Sequence, residues 1–293
     1  GMPAGGTINW SNGFLPARYQ GVAFKTKGAP IEDLFPSRPG DSAAGGTTAF
    51  DAAAERETRE FIAAINRRHQ STRPESDLAA RIKSYELAAK MQLSVPGVTD
   101  LSGETRELQT DYGLNRPETA DFGRSCLLAR RLLERGVRFV QLFSGGSFGS
   151  PRINWDGHED MRENHSQEAL RVDQPIAALL HDLDRRGLLE DTLVLWGGEF
   201  GRTPAGQGRD GRDHHPHAFS MWMAGGGVKG GMTHGETDEY GYYGVRDKTH
   251  FHDLHATVLH LLGLDHKRLT YRHAGRDFRL TDVHGEVVKA VLA

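Results

Sequence analysis

From Pro117 to Gly227 the chain alternates between stretches of helical period and short apolar runs, and no other feature constrains its fold as much. "PETADFGRSCLLARRLLERG" repeats apolar residues at three-to-four spacing, opens on Pro117, stops at Gly136 and leads directly into "VRFVQLF". A second helical stretch, over about 164–186, stops at Gly187 and is followed by "TLVLWGG"; "AFSMWMAGGG" adds a further apolar run. Proline suits the first turn of a helix and glycine its end, while short apolar runs bounded by glycine read as buried strands. Strands alternating with helices predict an α/β fold, a mostly parallel sheet covered by helices on both faces. Sheets of that kind place their sites outside the carboxyl ends of the strands.

The flanking segments extend this reading. Residues 1–50 are rich in Gly, Pro and Ser without periodicity and predict an irregular N-terminal arm ahead of one α/β domain over 51–293. "DAAAERETREFIAAINRRHQ" and "ESDLAARIKSYELAAKMQ" predict two amphipathic helices, and "DLHATVLHLLG" and "VHGEVVKAVL" a closing pair. With 293 residues, 37% of them hydrophobic, the chain can bury the core of one large domain. A formal net charge of -3 leaves no basic face for nucleic acid. No apolar run approaches the roughly 20 residues of a membrane span, and Cys126, alone in the sequence, excludes an internal disulfide.

Chemistry concentrates where the apolar runs meet polar loops. "NWDGHEDMRENH" carries Asp156, His158 and His165 soon after the first run; "GGEFGRTP" brings Glu199 and Arg202 after the second; "GRDHHPH" sets Asp213, His214, His215 and His217 before the third. Carboxylate oxygens mixed with imidazole nitrogens suit a divalent transition ion, Zn²⁺ first and Mn²⁺ next, better than Ca²⁺, which prefers oxygen alone. Asp156, His158, Glu199, His214 and His215 are the candidate ligands. Neighbouring side chains on an extended segment point to opposite faces, so one of His214 and His215 is expected to bind directly. Structural alternatives stand beside these roles: Asp156 as a helix cap, Glu199 as an ion-pair partner of Arg202, Asp253 as an N-cap and His255 as a packed core residue.

In order, "WDGHE", "LVLWGGEFGRTP", "GRDHHPHAFSMWMAGGGVKGG", "HDLHATVLHLLGLDH" and "GRDFRLTDVHGEVV" resemble an uncharacterised bacterial sulfatase-like family of the alkaline phosphatase superfamily. The resemblance implies a doubly wound sheet, a metal centre and a Ser, Thr or formylglycine nucleophile near the first strand. Asp156 and His158 look like the aspartate and histidine supplied before a long helix, Glu199 falls where the superfamily has an aspartate, and His214 or His215 resembles its late histidine. Phe200 stands where an adjacent ligating histidine is expected, which implies one metal rather than two. The nucleophile and the N-terminal strands are expected outside this chain, and an export signal upstream of them implies a periplasmic or exported protein. Cys126 lacks the Cys-x-Pro-x-Arg context of a formylglycine precursor, since Leu128 holds the proline position.

These readings converge on a metal-dependent hydrolase of small-molecule or polysaccharide phosphate or sulfate esters, with Arg202 steadying the anionic oxygens. The alternative is a non-catalytic module that binds a sulfated polysaccharide or a protein partner.

Overall fold

The computed structural model describes residues 6–13, 15, 19–26, 52–72, 82, 95, 97–145 and 154–293. They divide into two compact units, one of Thr7–Leu108 with Arg131–Val140, the other of Gly1–Gly6, Gln109–Arg130 and Gln141–Ala293. Most of the expected arm over 1–50 lies outside the described residues, as does the expected helix over 75–92 apart from Ile82.

In the first unit, helix α1 spans Ala52–Thr72 and exposes Phe61, Ile62 and Ile65. Helix α2, Arg106–Asp111, begins here. Val95 and Val98 are buried, and Arg131 holds the turn between them and α2: its Nε and Nη2 donate to the carbonyls of Val98 and Gly97, each at 2.7 Å, and it pairs with Glu104.

The second unit holds one of the two long helices foreseen from their period, and the other as far as Arg130. Helix α3, Ala120–Glu134, turns Cys126, Leu127 and Ala129 inward, and α4, Met161–Arg185, buries Asn164, Glu168, Val172, Pro175, Ala178, Leu179, Asp182 and Leu183. That spacing is the inward stripe of one helix face. Gly187 stops α4 in the left-handed region at φ 65°, where its N–H reaches Asp184 O and the N–H of Leu188 reaches Leu183 O. This pair of bonds satisfies carbonyls that the end of a helix leaves open. Between the helices lies a buried ionic knot: Arg130 Nε is 3.1 Å from Asp182 Oδ2, Tyr112 donates its hydroxyl proton to the same oxygen at 3.1 Å, and Arg186 Nε donates to Asp182 Oδ1 at 2.8 Å.

Among the described residues the expected parallel sheet does not form. The strands are β1 Val194–Trp196, β2 Gly201–Gln207, β3 Gly211–His215, β4 Trp222–Ala224, β5 Glu236–Thr237, β6 Gly244–Arg246, β7 Thr270–His273 and β8 Arg276–Arg279. They make four two-stranded sheets, β1–β4, β2–β3, β5–β6 and β7–β8, all antiparallel. "VRFVQLF" carries no ladder, and its Phe139 is 75% exposed. "TLVLWGG" is a strand only at Val194–Trp196, which pairs antiparallel with "AFSMWMAGGG" at Trp222–Ala224. An apolar run reports a tendency to extend, whereas a sheet needs a partner for its N–H and C=O groups, and the direction of that partner is not written in the run.

Helix α5, Phe251–Leu261, follows with a capping box of His250 and Asp253. "VHGEVVKAVL" is an extended segment ending in a short 3₁₀ turn, Lys289–Val291, and not a helix. Among the described residues, no helix is long and apolar enough to cross a membrane.

Candidate metal centre

The hairpin β2–β3 is the platform of the site, and the loop 154–160 is fastened across it. Three backbone bonds hold the loop: Arg212 N–H donates to Gly157 O at 3.1 Å, Asp160 N–H to Arg209 O at 2.9 Å, and Met161 N–H to Asp210 O at 3.0 Å. Gly211 permits the contact, because a Cβ there would overlap the carbonyl of His158. Within the loop, Asn154 Oδ1 accepts the N–H of Asp156 at 2.7 Å, an Asx turn that sets the aspartate's direction.

Across the ladder Arg202 faces His214. Strand alternation sends His214 toward the loop and His215 to the interior, where His215 is 1% exposed and its Nε2 lies 2.7 Å from Tyr242 O. His158 Nε2, His214 Nε2 and Asp156 Oδ1 form a triangle with edges of 3.1, 3.0 and 3.0 Å. Arg202 Nη2 donates to Asp156 Oδ1 at 2.6 Å and to Trp155 O at 3.2 Å. Phe200 stacks on the His214 ring with centroids 3.9 Å apart, and the His158 ring lies 4.8 Å from His214 on a tilted plane. The three donors are half-buried to exposed, so the cluster is open to solvent and to a ligand.

Gln207 Oε1, which can only accept, lies 2.7 Å from His158 Nδ1, so Nδ1 carries a hydrogen. In the neutral ring that leaves a lone pair on Nε2, aimed at an ionised carboxylate oxygen 3.0 Å away. Burial alone would raise the Asp156 carboxyl, but hydrogen bonds from Arg202 and His214 outweigh it and hold the group down at about 2. Hydrogen bonds from the imidazoles to Asp156 and a divalent ion shared by the three donors are alternative ways of filling this triangle. Asp156, His158 and His214 each offer one atom that could ligate a divalent ion.

The remaining candidates lie elsewhere. Glu199 is exposed and outside the cluster, and Arg202 pairs with Asp156 instead. Asp253 accepts the N–H groups of His250 at 2.9 Å and Glu286 at 2.8 Å, and His255 is held below the usual imidazole range by burial and by His252. His165 donates from Nε2 to Trp155 O at 3.0 Å, and His217 stacks near Tyr242 and Tyr243. Cys126 is fully buried and its thiol is pushed far up by burial, so it offers no thiolate. The sequence reading missed Gln207, whose relation to His158 exists only through the hairpin register.

Residues 1–292 match the family described as "Protein of unknown function (DUF1501)". The chain belongs to the DUF1501 family. No curated protein and no solved structure matches it. The DUF1501 match links the chain to neither the sulfatases nor the alkaline phosphatase superfamily, and the resemblance drawn from "WDGHE" and the later motifs is corrected accordingly. The paired strands agree with that correction, since the doubly wound sheet implied by the resemblance is replaced by antiparallel pairs. Short runs of Asp, His and Arg recur wherever imidazole and carboxylate are gathered, and they do not carry a fold with them.

Proposed function

We propose that this DUF1501 chain is a metal-dependent hydrolase of phosphate or sulfate esters, centred on one divalent transition ion held by Asp156, His158 and His214. The observation that carries the reading is the triangle of donor atoms 3.0 to 3.1 Å on a side, with Gln207 Oε1 2.7 Å from the other nitrogen of His158. Two imidazoles and one carboxylate suit Zn²⁺ or Mn²⁺, and three protein ligands leave room for substrate and water. An ion there supplies Lewis-acid polarisation of the ester oxygen and activation of water.

The protein's own groups do the rest. Asp156 stays ionised, as a ligand must, and Arg202 places a fixed positive charge beside it. With Nη2 bonded to Asp156 and Trp155 O and Nη1 to Arg212 O, the Nε–H and one Nη1–H of Arg202 remain to meet an anion. In the reaction water adds to phosphorus or sulfur, the bond to the alcohol oxygen breaks, and the alcohol leaves with a proton from that water. Charge gathered on the non-bridging oxygens is stabilised by Arg202.

The test is to load the purified chain with Zn²⁺ or Mn²⁺ and follow 4-nitrophenyl phosphate and 4-nitrophenyl sulfate in parallel. Metal-dependent release of nitrophenol that is abolished by chelation and by Asp156→Asn is expected, and the preferred ester identifies the substrate class. Tight metal binding without turnover of either ester would overturn hydrolysis and leave a binding module. Absence of metal binding would remove the centre itself.

A further inference from the structure

We infer that Gln207 is the positioning residue that sets the ligating form of His158; the inference rests on the metal reading above. A neutral imidazole has one N–H and one lone pair, and whichever group meets one nitrogen decides what the other can do. Gln207 Oε1 lies 2.7 Å from Nδ1, so the hydrogen sits there and the lone pair sits on Nε2, 3.0 Å from Asp156 Oδ1 and 3.1 Å from His214 Nε2. Turning the amide over would present N–H donors to Nδ1. The hydrogen would then move to Nε2, His158 would donate to Asp156, and its lone pair would face away from the cluster. The side-chain amide therefore decides between a ligand and a hydrogen-bond donor.

The backbone keeps the two residues together. Gln207 ends β2 opposite Gly211, on either side of the turn 208–210 whose carbonyls take the N–H groups of Asp160 and Met161. His158 is thus pinned over the hairpin mouth by the bonds that flank it, and Gln207 is the side chain the hairpin presents to its Nδ1. Gln207 is exposed and lies outside the donor triangle, so its contribution runs through the ring it orients.

Two substitutions separate this role from packing. Gln207→Met keeps length and volume and removes the acceptor; Gln207→Glu keeps an acceptor and cannot donate. Titration of the metal-free full chain with Co²⁺, read by visible absorption, gives affinity and coordination together, and melting temperature reports the fold. Gln207→Met is expected to weaken Co²⁺ by about 10- to 100-fold with an altered absorption band and an unchanged melting temperature. Gln207→Glu is expected to restore wild-type affinity or exceed it. Equal affinity and spectra in wild type and Gln207→Met would overturn the inference, as would a Gln207→Glu variant as weak as the methionine form. A wild-type chain that takes up no Co²⁺ would overturn the metal reading itself, and the positioning role with it.

Discussion

Arg202 and His214 face each other across the β2–β3 ladder, and both reach the same oxygen of Asp156, from 2.6 and 3.0 Å. The pairing puts a permanent cation and a titratable nitrogen on one carboxylate, so removal of either leaves the other in a changed field. In the proposed hydrolysis the two side chains would have separable duties, Arg202 toward the anion and His214 toward the ion.

Substituting Arg202 by Met removes the charge, including the guanidinium that lies 5.9 Å from the Phe200 ring centroid. Turnover of an anionic ester should fall by about 10²- to 10³-fold, the cost of losing one preorganised donor, while metal content stays near that of wild type. Metal analysis beside steady-state kinetics checks this, and a parallel loss of both would show that Arg202 acts by holding Asp156 in place.

The neighbouring histidines should behave oppositely. His214→Ala is expected to strip the metal with little change in stability, because the side chain is largely exposed. His215→Ala removes a fully buried ring and its bond to Tyr242 O, so it should cost about 1 to 3 kcal/mol in denaturant unfolding and leave metal binding in the folded protein intact. Similar metal loss in both variants would contradict the strand alternation on which the distinction rests.

Glu199→Gln should be silent. The side chain is exposed and lies outside the donor cluster, so stability should move by no more than about 0.5 kcal/mol and metal occupancy not at all. A marked drop in metal content on elemental analysis would return Glu199 to the ligand set.

The knot in the larger unit predicts the acid limb of stability. Burial pushes the Asp182 carboxyl up, yet the hydrogen bond from Arg186 and the charge of Arg130 bring it below its usual 3.8. A depressed carboxylate contributes stability above its unfolded value and loses that contribution as pH falls below it. Asp182→Asn removes the carboxylate charge beside Arg130, which is 2% exposed, and should cost about 3 to 5 kcal/mol at neutral pH. Between pH 7 and pH 3 the variant should also lose less stability than wild type, which urea unfolding at a series of pH values would detect.

Much of the helical architecture was legible in the sequence. The inward face of α4 recurs at helical spacing from Asn164 to Leu183, and Gly187 ends it by a left-handed turn that other residues adopt at a cost. These are local properties, carried by side chains a turn apart and by the φ of one residue. The donor types were legible for the same reason, since oxygen and nitrogen donors are chemical facts about Asp156, His158 and His214, which the structure brings together. Pairing was not. "TLVLWGG" and "AFSMWMAGGG" have the composition of buried strands, but whether Leu195 lies beside Met223 in an antiparallel ribbon or inside a parallel sheet depends on long-range contacts that no short run encodes. Selection among the candidates was equally tertiary. Glu199 and Arg202 are three residues apart, yet Arg202 reaches across 46 positions to Asp156 because the loop 154–160 is bonded to the hairpin. Gln207 meets His158 across 49 positions through that docking alone. Residue type determined what each group could bind; backbone hydrogen bonds between distant segments decided which groups share a centre.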